Sequence, residues 1–453
     1  MGNEARLQDM TTGDPRRLIL GFAIPMLLGT LFQQFYSMVD TIIVGRMLGL
    51  DALAGVGSTG AVNFMVNGFV IGLCSGFAIP VAQRFGARDE AGLRRYNANI
   101  LFLGILLSAV MTVLIGILTG PILRVMNTPE NIFIYAYRYI LIIFLGIPVT
   151  FLYNMTASII RSLGDSRTPV YFLVLASLLN IVLDLVSIGL LGFGVDGPAY
   201  ATVLSQALSG VLCLLYMKRR FPILKFRRGE CRLDSGRCRV LLSMGVPMGL
   251  QYSITAIGSV VLQTAVNGLG SAAVAAITAG SRIGNLCCCV FDALGATMAT
   301  YAGQNVGALR FRRVREGVLD ATFLGSVYAV LICVLLALFG GELPKIFVNS
   351  AETEVIRNAH LYLLVNSLFY ILLVVVNVWR FSIQGMGYSA FAVLAGVCEM
   401  AARALVGFVF IPVFGFTAAC FASPLAWLFA DAFLIPAFFY CLRRSGRMYG
   451  GRE

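Results

Sequence analysis

The sequence predicts an all-α integral membrane protein: twelve transmembrane helices in two pseudo-symmetric six-helix bundles. Three observations lead there. Of the 453 residues, 58% are hydrophobic and 12% charged, about half the charged share of an ordinary soluble domain. Apolar runs long enough to cross a bilayer recur along the whole length. The chain also repeats itself. A shift of 221 residues lays Leu48-Gly49 on Leu269-Gly270, and Gln83, Gly86 and Ala87 on Gln304, Gly307 and Ala308. A shift of 223 lays Pro121 on Pro344, Tyr139 on Tyr362, Gly164 on Gly387 and Gly192-Phe193 on Gly415-Phe416. Residues 16–217 and 238–442 therefore read as two copies of one unit.

The predicted spans are 18–46, 53–82, 97–119, 132–160, 169–191 and 195–217 in the first copy. In the second they are 240–266, 272–303, 317–340, 357–384, 388–411 and 416–442. Helices follow because a spanning segment must satisfy its own backbone hydrogen bonds. A β-barrel would need short alternating segments, and these runs are too long and too evenly apolar. The organisation expected is an N-lobe over 1–217, a basic linker over 218–239 and a C-lobe over 240–453. Six spans is an even number, so the two copies run parallel, as in transporters that bind between or inside two halves. Two lobes on a flexible linker point to a rocking machine. Pro25 in span 1 and Pro247 in span 7 each remove a backbone hydrogen bond and mark candidate hinges.

The net charge is +12, and 26 of the 34 Lys and Arg residues fall in the termini and alternate loops, from Arg6 to Arg452. The cell inner (plasma) membrane is the expected location, and that asymmetry places both termini in the cytoplasm. It accounts for the basic excess through topology and contact with anionic lipids, and nucleic acid is not expected as a partner. The eleven cysteines sit mostly inside spans as small packing residues. Cys231 and Cys238, in the linker, fit no zinc spacing. His360 is the single histidine and no Walker A motif is present, so a zinc hydrolase, a Ser-His-Asp triad and direct ATP drive are all disfavoured.

Ionisable residues inside apolar spans are costly and are candidate functional groups. Gln33, Ser37 and Asp40 share a face of span 1, Asn180 and Asp184 a face of span 5, and Thr202 and Gln206 a face of span 6. Hard oxygen ligands of this kind suit protons or a small hard cation. Burial disfavours the charged carboxylate and a cation restores it, so such a group can carry a proton until a cation arrives. The alternative for Asp40 is a structural ion pair with Arg138 or Arg161. The second copy differs: Val261 stands opposite Asp40, and Arg403 and Gly407 opposite Asn180 and Asp184. Glu399 and Arg403, four apart on span 11, read as a self-neutralising pair. Arg282, Asp292 and Arg380 are expected near span ends or in local pairs, and Asp431 has no assigned role.

The stretches Val39-Asp40-Thr-Ile-Ile-Val-Gly45, Gln83-Arg-Phe-Gly86-Ala87-Arg88, Ile160-Arg161-Ser-Leu-Gly164-Asp165, Asn180-Ile-Val-Leu-Asp184 and Gly194-Val-Asp-Gly197-Pro-Ala199-Tyr-Ala201-Thr202 resemble the MATE (multidrug and toxic compound extrusion) family of the MOP flippase superfamily. The resemblance covers nearly the whole chain and is nearest the DinF-type branch. It implies a secondary active transporter, not an enzyme: an antiporter that exports small organic cations in exchange for H⁺ or Na⁺. It implies a coupling site of Asp40, Asn180, Asp184 and Thr202 and bending at Pro25. Gln33, Gln34, Tyr36, Asn154 and Gln206 are the remaining cavity candidates. The NorM-type branch instead carries acidic ligands on helices 7 and 10, where this chain has Gln251, Gln263, Asn366 and Asn377. A lipid-linked oligosaccharide or lipid flippase of the same superfamily is the alternative, and it would want a basic cavity. No cofactor is expected, nor any metal apart from Na⁺ at the coupling site. Membrane lipids are expected partners, and a monomer is the expected state.

Overall fold

The computed structural model of the chain describes residues 9–126, 128–226, 230, 232–346 and 352–448. Arg6, Arg227, Arg228, Cys231 and Arg452 lie outside the described residues. Among the described residues the fold is helical throughout. The helices are α1 (Pro15–Leu48), α2 (Leu50–Ser58), α3 (Gly60–Gly86), α4 (Glu90–Val125), α5 (Glu130–Leu145), α6 (Ile147–Ser162), α7 (Arg167–Gly189), α8 (Asp196–Arg220) and α9 (Ser235–Asn267). The second copy continues with α10 (Ser271–Gly307), α11 (Phe311–Phe339), α12 (Thr353–Leu368), α13 (Tyr370–Gly385), α14 (Ser389–Leu405), α15 (Ile411–Phe414) and α16 (Phe416–Met448). A single π-helical turn, Val406–Phe410, joins α14 to α15.

Ten of the helical segments are each long and apolar enough to cross a membrane, and two bent pairs bring the total to twelve. The bends correct the predicted spans 132–160 and 357–384, which were expected to be continuous. α5 and α6 meet at 48°, α12 and α13 at 52°. The breaks fall at Gly146 and Phe369, which the 223-residue shift superimposes. In the first copy the cause is local. Pro148 follows the break and has no N–H to continue the ladder. Gly146 is needed because a Cβ there would lie 2.6 Å from Val203 Cγ2 on α8.

The duplication reaches down to single backbone angles. Gly164 and Gly387, one repeat apart, have φ of 96° and 97°, a region open to glycine at little cost. Among the described residues the non-glycine positions with positive φ are Arg88 (55°) and Leu309 (58°), again one repeat apart. Several helix starts are fixed by aspartates. Asp89 accepts from the Gly92 N–H at 2.8 Å at the head of α4. Asp165 accepts from the Arg167 and Thr168 N–H groups, both at 3.0 Å, at the head of α7, and the Tyr216 hydroxyl donates to its other oxygen. Asp234 precedes α9 and accepts from the Arg237 N–H, which holds its carboxyl below the usual range.

Packing divides the chain into two compact units. The first takes in Leu28–Gly249, the second Met10–Leu27 with Leu250–Glu453. The repeats predicted from sequence follow the duplication; the packing units differ from them in the first halves of α1 and α9. In the second unit, the Met10 N–H donates to Gln304 Oε1 at 3.0 Å, Asn305 Nδ2 donates to the Met10 carbonyl, and Arg16 pairs with Asp320 at 2.7 Å. In the first unit, Gly72 and Gly76 of α3 lie directly against Met248, Gly249 and Gly245 of α9, with no room for side chains. Each helix changes unit two residues past its proline, after Leu27 and after Gly249.

The described part of the linker makes hydrogen bonds to α4. Arg94 grips Glu230 through two hydrogen bonds, at 2.7 and 3.1 Å, and Asn99 accepts from the Asp234 N–H at 2.8 Å. In each unit one long helix turns an apolar face outward: Ile105, Val113 and Ile117 on α4, and Phe323, Leu331 and Leu338 on α11, are all more than half exposed. Faces of this size belong in lipid.

Candidate functional site in the first unit

The second half of α1 carries Gln33, Gln34, Tyr36 and Asp40. Gln33 and Gln34 are exposed, while Tyr36 and Asp40 are half-buried. α7 contributes Asn180 and Asp184, which are almost completely buried at 1% and 0% exposure, and α8 contributes Thr202. The amide of Asn180, in the orientation that satisfies both its ends, ties these helices together. It donates to the Tyr36 hydroxyl at 3.0 Å and to Asp184 Oδ2 at 2.9 Å, and it accepts from the Thr202 N–H at 3.0 Å. Asp40 and Asp184 come close enough to hydrogen-bond when one of them holds a proton. One oxygen of each, Asp40 Oδ1 and Asp184 Oδ1, is buried with no partner.

The structure thus brings Tyr36, Asp40, Asn180, Asp184 and Thr202 into one cluster. Gln206 and Asn154 join a neighbouring pair of contacts through Thr150: the Thr150 hydroxyl donates to Gln206 Oε1 at 2.8 Å, and Asn154 Nδ2 donates to the Thr150 carbonyl at 2.8 Å. The alternative of an ion pair for Asp40 is not realised: Arg138 pairs with Asp196, and Arg161 donates to the Ser158 hydroxyl. Pro25 lies inside α1 without ending the helix. One residue escaped the sequence reading. Tyr139 on α5 is buried at 7% exposure beside Asp40, Tyr36 and Asp184. The repeat pairs Tyr139 with Tyr362, but that Tyr362 stands beside Arg403 shows only in the folded second unit.

Two carboxyls side by side in a low-dielectric setting cannot both be charged unless a cation joins them. The unpartnered oxygens, with Thr202 and Asn180 close by, form a donor set suited to a proton or to a small hard cation.

The second unit is wired differently. Glu399 pairs with Arg403 at 3.5 Å, as its spacing predicted, and also with Arg380 of α13. Arg380, expected near a span end or in a local pair, lies in the last turns of α13 at 6% exposure and pairs with Glu399 of another helix. Gln251 and Gln384 hydrogen-bond at 2.6 Å.

Two copies of one helical unit, ten to twelve segments fit to cross a membrane and a buried polar cluster inside one unit are the marks of a multi-pass membrane transporter. The MatE family model matches residues 25–186 and 247–409, once in each copy and over most of the chain. The chain belongs to the MatE family. It is 31% identical over 358 residues to the probable multidrug resistance protein YoeA of Bacillus subtilis, covering 78% of this chain and 77% of that one. It is 26% identical over 357 residues to a FAD transporter of Shewanella oneidensis, covering 77% of each. Among solved structures it superposes on the outward-facing conformation of a multidrug resistance MATE family transporter of the MOP superfamily, with a TM-score of 0.90, 22% identity, and coverage of 98% of this chain and 99% of that one. The last likeness is one of fold.

Proposed function

We propose that this transporter is a multidrug efflux antiporter that exchanges H⁺ or Na⁺ for small organic cations by alternating access, in the plasma membrane with both termini in the cytoplasm. The observation that carries the reading is the pair Asp40 and Asp184, each with an unpartnered buried oxygen, held by Asn180 and Thr202. An incoming H⁺ or Na⁺ neutralises the pair. Loss of that charge removes the attraction for a cationic drug, which then leaves outward. Pro25 supports a hinge, because one missing hydrogen bond sits just before the point where α1 passes from one packing unit to the other. The names of the relatives support drug export, and the FAD transporter shows that flavin-type cargo occurs among them. A flippase would want basic groups at this site, and the cluster is acidic.

The test is efflux of a fluorescent cationic dye from cells expressing the protein. Asp40→Asn keeps the shape and removes the titrating group. Efflux is expected to fall to the level of cells without the protein, with equal amounts of variant in the membrane. Efflux at the wild-type rate would remove Asp40 from the mechanism.

A further inference from the structure

The second unit holds a buried charge cluster that the proposed coupling site does not use. Arg380 on α13 and Arg403 on α14 are 6% and 9% exposed, and Glu399 between them is 5% exposed. Both guanidiniums pair with Glu399. Arg380 also has Asp292 of α10, Asp431 of α16 and Tyr252 of α9 as neighbours, and Tyr362 of α12 stands beside Arg403. Asp292 is the exposed member. Asp431 is 4% exposed, and neither of its oxygens has a hydrogen-bond partner. Gly258 on α9 leaves room for Arg403, since a Cβ there would sit 3.4 Å from its Nη1.

Both buried guanidiniums are engaged by Glu399, which leaves Asp431 buried without a donor. A buried carboxylate with no donor is far costlier than a neutral carboxylic acid in the same place. Glu399 takes both guanidiniums, and Asp431 receives nothing. We propose that the second unit holds one exchangeable proton on Asp431, released when Arg380 turns from Glu399 to Asp431. Arg380 is fitted for that move. Its Nε is unpartnered, and Glu399 keeps Arg403 when Arg380 leaves. In the exchange the Asp431 O–H bond breaks, the proton passes to solvent, and the new carboxylate is neutralised by Arg380. The second unit is then a participant in ion exchange, independent of the cation site in the first. This inference stands even if Asp40 proves uninvolved.

The experiment is infrared spectroscopy of the full-length protein in lipid at neutral pH, reading the carbonyl stretch of protonated carboxylic acids. An Asp40→Asn, Asp184→Asn background removes the carboxyls of the first unit. One protonated-acid band is expected to remain there, to vanish with Asp431→Asn, and to reappear shifted with Asp431→Glu. Glu399→Gln is the second arm and keeps the shape of the cluster. It frees Arg380 to pair with Asp431, so the Asp431 band is expected to disappear although Asp431 is present. A band that survives Asp431→Asn, or one unchanged by Glu399→Gln, would overturn the proposal. If Asp431→Asn fails to fold, Glu399→Gln decides alone.

Discussion

Asn180 is the residue on which the first unit's cluster turns. Its amide meets three groups on two other elements and on its own helix. Asn180→Ala would leave Asp184 Oδ2, the Tyr36 hydroxyl and the Thr202 N–H without that partner. Each unsatisfied buried group costs about 1–3 kcal/mol, so a clear fall in melting temperature of the detergent-solubilised protein is expected along with lost efflux. Asn180→Asp should retain more of the stability and still lose efflux, because it adds a third carboxyl to a site that neutralises two. Equal melting temperatures for Asn180→Ala and wild type would show that the amide holds nothing together. Asp40, Asn180, Asp184 and Thr202 were legible in the sequence because charges and amides stand out against apolar spans. Tyr139 was not, because a tyrosine in an apolar helix is unremarkable until its neighbours are known. The partner of Arg380 was hidden for a related reason: Glu399 lies on another helix, and helical spacing reveals partners only within one helix.

At the scale of elements, the bends and caps are what the sequence hid or disclosed. Gly146→Val introduces a branched side chain where even a Cβ meets Val203, and overpacking of that kind costs about 1–3 kcal/mol. A lower melting temperature than for Gly104→Val is expected, since a Cβ on Gly104 finds only Met155 Cε, at 3.9 Å. Asp165→Ala removes the acceptor for two N–H groups at the head of α7 and for the Tyr216 hydroxyl. A loss of about 1 kcal/mol is expected, read as a fall in the same melting temperature, and Asp165→Asn should restore most of it. The caps could be read from Asp followed by a helical run. The bends could not, because an apolar run of 29 residues looks the same straight or broken. In the second copy no proline marks the place at all.

At the scale of the whole molecule, the proposed ion exchange is tested with imposed gradients. Proteoliposomes loaded with a cationic dye should release it when an inward H⁺ gradient is applied, or when an inward Na⁺ gradient is applied at equal pH. One gradient acting alone identifies the ion. Release insensitive to both would sink cation exchange. Pro25→Ala restores the missing hydrogen bond just before α1 changes packing unit. It should slow dye release while leaving the melting temperature unchanged or raised, because a stiffer helix resists bending without losing packing. Release at the wild-type rate would remove the hinge.

The sequence by itself determined the membrane class, the number of spans, the duplication and its register. All of these follow from hydrophobic length, charge placement and self-similarity, which are properties of the chain in order. Even the repeated backbone angles at Gly164 and Gly387 descend from that register. Tertiary structure alone decided that α1 and α9 divide between packing units, that Gly146 and Phe369 break their spans, and that Glu399 takes two guanidiniums while Asp431 takes none. Those outcomes depend on which side chains from distant segments compete for the same space and the same charges, and that competition is settled only when the helices pack.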